Sequence, residues 1–385
     1  MGFAGDARHP DGGFGWLDAQ GHLDPSHPVE LWITCRMTHV AALGVLLGRP
    51  GPRELLDHGM RSLTGPFLDH DGGWHASLPG DAGQPKGAYE HAFVVLAASS
   101  ATLAGHEAGP ALLSRALDAL VDRFWEDEHG MVADSWDTTT GRLDPCRGVN
   151  ANMHTVECFL AAVDATGDRV WLDRALRIVE RVCGHASEHD YRIPEHFDQS
   201  WSPLLDYNEE VPADKFRPYG ATIGHGLEWA RLALHLRAAI GIGVAPAWLL
   251  EHARGLFAAS VRDGWAVDGA DGFVYTVDWQ GQPVVRERMH WVAAEATATA
   301  AALWSATREQ EYADRYQTWW EYVAKVFIDN EFGSWHHELD AANRPSARVW
   351  PGKPDLYHAV QATLGPRLPL SSCIAANLAA DRLDG

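Results

Sequence analysis

The sequence predicts an all-α protein, an (α/α)6 barrel in which two concentric rings of helices are joined by loops that carry short strands. Two observations lead to this fold class: short aromatic segments recur along the chain, and pairs of helical patterns lie between them. The chain has 385 residues, of which 46% are hydrophobic, enough for a well-packed core. We therefore expect a single domain that spans residues 1–385.

The aromatic segments are rich in glycine and aspartate, and each predicts a turn followed by a short strand. Their aromatic residues are 58, 62, 61, 78 and 60 residues apart, at Trp16, Trp74, Trp136, Phe197, Tyr275 and Trp335. Six units at a nearly constant period indicate a repeat architecture.

Between these segments lie two kinds of helical pattern. The first kind is apolar on most sides, which indicates buried inner helices, at roughly 29–48, 89–105, 149–166, 222–241, 289–307 and 355–366. The second kind is amphipathic, which is typical of half-exposed outer helices, at roughly 52–65, 109–125, 168–185, 246–262 and 310–327. One outer helix is missing from this count. Either residues 372–383 complete the outer ring, or the first outer helix is absent. An open helical solenoid is the alternative architecture.

Composition and charge exclude several classes of function. The net charge is −21, from 31 basic and 52 acidic residues, and no basic run offers a surface for nucleic acid. No apolar window is long enough to span a membrane, and the first residues do not resemble a signal peptide. Five cysteines at irregular spacings, without a CxxC pair, favour reduced thiols. We therefore expect a cytoplasmic protein.

Polar and aromatic residues occur near the start of every inner helix, where apolar residues would be expected. Because the inner helices should run in the same direction, these residues should meet at one mouth of the barrel. We expect a pocket lined by imidazoles, an arginine, carboxylates and aromatic rings. The residues are Trp32, Arg36, Tyr89, His91, Asn150, His154, His225, Glu228, His290, Trp291, Glu295, Asp355 and His358.

Spacing adds detail to this pocket. His225 and Glu228 are three residues apart on a helix, so we expect the carboxylate to orient the imidazole. Residues 203–221, with Lys215 and Arg217, account for the longest interval in the repeat and predict a lid, or else an ordinary surface loop. The HxxEH pattern that begins at His185 lies at the end of an outer helix, which argues against a zinc site. We predict no metal and no cofactor.

Five segments resemble the N-acylglucosamine 2-epimerase superfamily, most closely its aldose–ketose isomerase branch: residues 31–39, 147–154, 216–229, 275–279 and 355–358. The resemblance extends in order from Gly13 to about Leu370. It implies an (α/α)6 barrel, no required metal, and paired catalytic histidines that correspond to His225 and His358. It also implies a set of sugar-contacting residues, with the family's basic residue at Lys215 or Arg217; the others are Trp32, Arg36, Tyr89, Asn150, His154, Glu228 and Trp291.

The expected activity is the interconversion of an aldose and a ketose, such as D-mannose and D-fructose or D-lyxose and D-xylulose, through a cis-enediol. His358 would carry the proton between C2 and C1, while His225, steered by Glu228, would move protons on the sugar oxygens. The reverse assignment of the two histidines stays open. Arg36 would stabilise the enediolate. The expected partner is a monosaccharide, and association into homo-oligomers is left open.

Several other functions are compatible with the same sequence features. One is a sugar 2-epimerase on the same scaffold, and another is a sulfoquinovose isomerase. Pro354 stands where a side chain able to bind a sugar acid is expected, and the family's N-terminal helix is largely missing. An (α/α)6 glycoside hydrolase would need two carboxylates, for which Glu228 and Glu295 are candidates, but the surplus of histidines argues against it. A sugar-binding protein without catalysis would leave the two histidines without a purpose.

Overall fold

The computed structural model describes residues 2–81 and 83–381, which are mostly helical. The helices are α1 Gly2–Gly5, α2 Leu31–Leu46, α3 Pro52–Thr64, α4 Ala88–Leu103, α5 Gly109–Phe124, α6 Val149–Thr166, α7 Val170–Glu188, α8 Ile223–Ile240, α9 Trp248–Gly264, α10 His290–Thr307, α11 Gln310–Val326, α12 Tyr357–Leu364 and α13 Ile374–Ala379, with a 3-10 turn at Gly365–Arg367. Among these described residues, no helix is both long and apolar enough to cross a membrane.

The two predicted kinds of helix are both present, with ends within three residues of the predicted ones. Helix α4 is buried along most of its length, as its run of Val94, Val95 and Leu96 predicts. Helix α3 buries Leu56 and Leu63 while its charged residues lie on the other face. The pattern of apolar residues therefore separates inner from outer helices correctly.

Short strands connect the helices. They are β1 Val29–Glu30, β2 Ser77–Leu78, β3 Lys86–Gly87, β4 Trp125–Glu126, β5 Met131–Val132, β6 Ser135–Asp137, β7 Arg142–Leu143, β8 Arg147–Gly148, β9 His196–Phe197, β10 Ala221–Thr222, β11 Thr276–Val277, β12 Pro283–Val285, β13 Arg288–Met289 and β14 Glu338–Leu339. Strands β1, β3, β8, β10 and β13 each lead directly into an inner helix. They therefore fix where the first turns of α2, α4, α6, α8 and α10 begin.

The chain divides into two compact units. Unit 1 is formed by Met1–Ile178, Lys353–Tyr357 and Ser372–Gly385, and unit 2 by Val179–Gly352 and His358–Ser371. In unit 1, α2, α4 and α6 pack in sequence, with α3 against α2 and α5 against α4. In unit 2, α8 packs against α10, with α9 against α8 and α11 against α10. Each unit thus repeats the same inner–outer arrangement, while the single domain over residues 1–385 stays a prediction.

Within each unit, antiparallel pairing links successive repeats. Strand β1 pairs with β2 and β3 with β6 in unit 1, and β10 pairs with β11 and β13 with β14 in unit 2. Each of these pairs joins the strand before one inner helix to the connection that follows in the chain. Neighbouring inner helices of a unit are therefore linked at their N-terminal ends.

The predicted turn-and-strand segments are present as small hairpins. Each hairpin follows an outer helix and closes with an antiparallel bridge, as between Leu68 and Trp74 after α3 or between Ile328 and Trp335 after α11. Trp74 is completely buried. The recurring aromatic residues therefore belong to the core, except for Trp136, which is partly exposed.

Buried ion pairs fasten several hairpins to the strand that precedes an inner helix. In each pair, a basic residue on that strand meets a carboxylate of the hairpin before it. The pairs are Lys86–Asp69 at 2.7 Å, Arg147–Glu126 at 2.7 Å and Arg288–Asp268 at 2.6 Å. Their basic side chains are at most 5% exposed.

The described ends of the chain both belong to unit 1. Helix α13 packs against the inner helices α2, α4 and α6, and the Ser372 hydroxyl donates to Asp164 near the end of α6. The C-terminal stretch therefore packs on inner helices; residues 382 and 383 of the predicted stretch lie outside the described residues. Helix α1 precedes the Arg8–Phe14 bridge as outer helices precede theirs, so it is the counterpart of an outer helix in the first repeat.

Candidate active site

Arg36 lies in unit 1, on the second turn of α2, with its side chain only 10% exposed. Its Nη1 donates to Oδ2 of Asp355 at 3.2 Å, and its Nη2 donates to the hydroxyl of Tyr89 at 3.1 Å. Burial lowers the pKa of the guanidinium, but Tyr89 and Asp355 outweigh burial and raise this pKa above its ordinary value. Arg36 is therefore a permanent positive charge held in one orientation.

Aromatic rings surround the same guanidinium. Its Cζ atom lies 5.0 Å from the ring centroid of Trp32, 4.6 Å from that of Phe93 and 4.8 Å from that of Tyr357. Such contacts between a cation and ring faces are attractive and restrict the plane of the guanidinium. Trp32, Arg36 and Tyr89, which the sequence placed together, do lie together in unit 1.

His154 extends this cluster along α6. Its Nδ1 is 3.2 Å from Oε2 of Glu157, and the hydroxyl of Tyr357 donates to the same carboxylate oxygen. The imidazole lies 4.5 Å from the Phe93 ring and 5.3 Å from the Tyr89 ring. Asn150, one turn earlier on α6, is partly exposed. Of the predicted residues of unit 1, three contact Arg36 or His154 and form one cluster of charged and aromatic groups with them: Trp32, Tyr89 and Asp355.

His225 lies in unit 2, on the first turn of α8, and its partner is Glu195. Its Nδ1 is 2.9 Å from both carboxylate oxygens of Glu195, a buried residue that lies just before β9. The prediction that Glu228 orients His225 was wrong. The carboxylate of Glu228 accepts instead from Nη2 of Arg231 at 3.3 Å, because that cation lies one turn further along the same helix.

The contact with Glu195 has a chemical consequence for His225. A carboxylate at Nδ1 favours the tautomer with its proton on Nδ1, and this tautomer keeps Nε2 as the basic nitrogen. The side chain of His225 is 12% exposed, so the ring is largely buried. Its orientation suits a group that takes up and returns a proton at Nε2.

His358, on α12, has the same arrangement with a different carboxylate. Its Nδ1 is 3.2 Å from Oε1 of Glu295, and Oε2 of the same carboxylate accepts from Nε of Arg231 at 2.7 Å. Burial raises the pKa of Glu295, but Arg231 and His358 outweigh burial and hold this pKa below its ordinary value. Glu295 is therefore ionised near neutral pH and holds the ring of His358 by Nδ1.

Trp291 lies between the two histidines. Its ring centroid is 5.3 Å from that of His225 and 5.8 Å from that of His358, with the planes tilted by 39° and 35°. Trp291 is partly exposed, although α10 as a whole is buried. Unit 2 thus brings together three residues that the sequence analysis named, two of them carboxylate-backed imidazoles.

Three further histidines of unit 2 are found in the same part of the sequence as Trp291 and the connection that precedes α12. The rings of His290 and His337 stack at 3.8 Å, and His290 meets the edge of the His358 ring at 6.0 Å. His336, the neighbour of His337, lies instead 3.8 Å from a carboxylate oxygen of Asp329. These two adjacent histidines therefore have different partners.

His91 was expected to line the pocket, and its contacts give it a structural role instead. Its Nδ1 is 2.7 Å from the carbonyl of Gly87, and its Nε2 accepts from the backbone N–H of Trp74 at 3.3 Å. Burial lowers the pKa of His91 to about 4. A neutral imidazole with both nitrogens bonded to backbone holds the hairpin at Trp74 in place.

Residues 203–221 form part of one connection of unit 2, and they contact a second one, the connection before α12 that contains Trp350. The Nζ of Lys215 lies 4.4 Å from the ring centroid of Trp350, and Phe216 meets the same indole at 5.5 Å. The Nη1 of Arg217 donates to the hydroxyl of Tyr207 at 3.3 Å. Lys215 and Arg217 thus both contact aromatic side chains.

Glu338 fixes the position of Trp350. Its Oε2 accepts the backbone N–H groups of Val349 and Trp350, each at 2.7 Å, and its Oε1 accepts from Arg348 N at 2.7 Å. Glu338 is only 1% exposed. A buried carboxylate with this many donors makes the connection before α12 rigid.

The N-acylglucosamine 2-epimerase (GlcNAc 2-epimerase) family model matches residues 12–362. The chain belongs to this family. It is 51% identical over 384 residues to a D-mannose isomerase of Thermobifida fusca, a match that covers 98% of this chain and 94% of the relative. It is also 51% identical to a D-mannose isomerase of Pseudomonas cannabina pv. alisalensis, over 98% of this chain and 92% of the relative.

Solved structures agree with this family assignment. A crystal structure of D-mannose isomerase aligns with a TM-score of 0.88 and 28% identity, over 95% of this chain and 94% of that chain. Cellobiose 2-epimerase of Spirochaeta thermophila DSM 6192 aligns with a TM-score of 0.81 and 21% identity, over 94% and 91%. The predicted (α/α)6 barrel is confirmed as the fold class of this family member.

Sequence reasoning placed Glu295 in the pocket but missed the other residues that support the histidines: Glu195, Glu157 and Tyr357. Glu195 lies 30 residues before His225 on an irregular connection, so spacing along one helix does not reveal it. Glu157 is three residues after His154, a signal that could have been read in the same way as His225 and Glu228. Tyr357 is adjacent to His358 in sequence, but nothing in the sequence predicts its bond to Glu157.

Proposed function

We propose that this chain is an aldose–ketose isomerase that interconverts D-mannose and D-fructose. Its two relatives at 51% identity are named D-mannose isomerase, and each match covers more than nine-tenths of both chains. The structural observation that carries the proposal is the pair formed by His225 and His358, each backed by a carboxylate and both against the indole of Trp291.

The proposed reaction needs only proton transfers. The C2–H bond of the open-chain aldose breaks and a C1–H bond forms, while the O2 proton is lost and O1 gains one, so that the product carries its carbonyl at C2. The hydrogen on C2 is weakly acidic, which requires a base in direct reach. We assign this C2-to-C1 transfer to His358, backed by Glu295, and the transfers on the oxygens to His225, backed by Glu195.

The remaining site residues are proposed to bind the sugar. The guanidinium of Arg36 offers a fixed positive charge, which suits the stabilisation of an enediolate. Tyr89 donates or accepts at its hydroxyl, and the indoles of Trp32 and Trp291 offer faces for the sugar ring. The other members of the proposed sugar-binding set are Asn150, His154, Lys215, Arg217 and Glu228.

We further propose that the enzyme acts on a free monosaccharide in the cytoplasm. Cys35, Cys158 and Cys183 are free thiols, and all three are buried. Burial raises the pKa of the Cys183 thiol to about 12, which keeps that thiol protonated. Unpaired thiols of this kind suit a reducing compartment.

A 2-epimerase is the second candidate, because cellobiose 2-epimerase shares this fold. It would return the proton to the opposite face of C2 and convert mannose to glucose.

The test is product identification by NMR after incubation of purified protein with D-mannose, D-lyxose, D-glucose and sulfoquinovose, with and without a chelator. We expect fructose from mannose in both conditions. Glucose as the main product would replace the isomerase by the epimerase, and no conversion of mannose would reject both.

A further inference from the structure

Gly224 lies immediately before His225, at the start of α8, and packs against Trp291. A Cβ atom built on Gly224 would lie 2.2 Å from Cζ3 and 2.5 Å from Cη2 of Trp291, and 2.8 Å from Cγ2 of Val292. Carbon atoms in favourable contact are about 3.5–4.0 Å apart. The outer edge of the indole therefore occupies the space that any side chain at position 224 would need.

The backbone does not explain a glycine at this position. Gly224 is the second residue of a regular helix and is absent from the glycines with positive φ. Glycine in a helix is less favourable than alanine by about 1 kcal/mol. Close approach of the indole is the physical reason that the structure offers for glycine here.

The position of this indole matters because both histidines contact it. The ring of His225 lies 5.3 Å from it and that of His358 lies 5.8 Å from it, while Tyr275 meets it edge-on at 6.0 Å and 90°. The indole thus lies against the α8 backbone, with the two imidazoles and Tyr275 packed around it. A shift of the indole changes the space available to both imidazoles at once.

We propose that Gly224 is a positioning residue for the isomerase reaction: by leaving room for the indole of Trp291, it sets the separation and tilt of the His225 and His358 rings. The inference rests on the proposed function, since it requires both histidines to act on one sugar. Because Trp291 is partly exposed, a methyl group at position 224 displaces the indole rather than opening the core. The substitution should therefore lower kcat, since a misplacement of a reacting group by about 1 Å can lower the rate about 100-fold.

Gly226 provides a matched control on the same helix. A Cβ atom there would lie 2.3 Å from Oγ of Ser260 on α9, with no atom of Trp291 among its nearest contacts. Gly226→Ala thus introduces the same methyl group two residues away, against an outer helix. It tests whether crowding of α8 alone accounts for any loss of activity.

The experiment compares Gly224→Ala, Gly226→Ala, Trp291→Phe and the double variants Gly224→Ala/Trp291→Phe and Gly224→Ala/Val292→Ala. The measurements are kcat and KM for D-mannose, the pH profile of kcat/KM, and thermal unfolding by circular dichroism. We expect Gly224→Ala to lower kcat about 100-fold with a smaller change in KM and a shifted pH profile. Gly226→Ala should keep the wild-type pH profile.

The double variants identify the contact responsible. Phenylalanine lacks the outer edge of the indole, so Gly224→Ala should cause no further loss of kcat in the Trp291→Phe background. Val292→Ala should not restore activity to Gly224→Ala. If Gly224→Ala does not fold, the double variant with Trp291→Phe carries the test, and it should fold and match Trp291→Phe in kcat.

Each outcome is decisive. A wild-type kcat in Gly224→Ala, an equal loss in the Trp291→Phe background, or rescue by Val292→Ala would overturn the positioning role. A wild-type protein that converts no mannose would instead reject the proposed function, before any variant is compared.

Discussion

Glu195 and Glu295 hold the two histidines by the same nitrogen. In each case the carboxylate faces Nδ1, at 2.9 Å for His225 and 3.2 Å for His358. The histidines could be predicted from the sequence because they interrupt apolar helix patterns. Glu295 was expected in the pocket as well, but the pairing of each histidine with its carboxylate could not be predicted. Glu195 lies on an irregular connection, and Glu228 accepts from Arg231.

At the residue scale, we expect Glu195→Gln to lower kcat for mannose by roughly 10²–10⁴-fold, because an amide that donates to Nδ1 favours the wrong tautomer of His225. The measurement is steady-state conversion of mannose by each variant. Glu228→Gln should mainly raise KM, since its carboxylate accepts from Arg231 and is proposed to bind the sugar. The reverse pattern, with the large loss of kcat in Glu228→Gln, would restore the original assignment of Glu228 and contradict this one.

Among the elements, helices were far more predictable than strands. Inner helices such as α2, α6 and α8 are apolar on most sides over 16–18 residues, so their pattern is visible in the sequence. Most strands are two residues long, as β3 and β13 are, and two residues carry no periodicity. The buried ion pairs that fasten these strands to the hairpins join residues about 20 apart, as Arg288 and Asp268 are, and they become visible only in the structure.

The Arg288–Asp268 pair predicts a pH-dependent loss of stability. Its side chains are 1% and 4% exposed, and the two groups share two hydrogen bonds at 2.9 and 2.6 Å. Removing one partner of such a pair costs about 3–5 kcal/mol. We therefore expect Asp268→Asn to lower the free energy of unfolding at pH 7 by that amount, as measured by urea denaturation.

The same ion pair determines how the free energy of unfolding changes with pH. Burial raises the pKa of Asp268, but Arg288 outweighs burial and holds it below the ordinary value of about 3.9. The carboxylate therefore stabilises the fold above pH 4, and this contribution is lost as the pH falls towards the lowered pKa. The difference between wild type and Asp268→Asn should shrink in acid. A difference that stays constant or grows below pH 4 would show that the ion pair is not its source.

The contact between Lys215 and Trp350 predicts a lid that depends on an aromatic side chain. We propose that this contact holds residues 203–221 in place while the sugar is bound. Trp350→Ala should then raise KM for mannose about fivefold, which corresponds to a loss of about 1 kcal/mol of binding free energy. Trp304→Ala is the matched control, because Arg308 covers that exposed indole at 4.3 Å on another part of unit 2. Equal effects of the two substitutions on KM would reject the lid.

For the whole molecule, the repeat carried the prediction of the fold. A period of about sixty residues is a property of the entire chain, so errors at single helix ends did not affect the predicted (α/α)6 class. The relatives and the family model support the same class and an isomerase activity. The sugar itself was less predictable, since aldohexoses differ at single hydroxyls and a sequence does not give the positions of hydrogen-bond donors to that accuracy.

The most direct test of the two-histidine mechanism is the formation of fructose from D-mannose by His225→Asn and His358→Asn, followed by NMR, with circular dichroism as the control for folding. Loss of an acid/base group costs about 10²–10⁴-fold. We expect each variant to be folded and to lose at least 100-fold in kcat/KM. A folded variant of either kind that keeps more than about a tenth of the wild-type kcat/KM would contradict the mechanism.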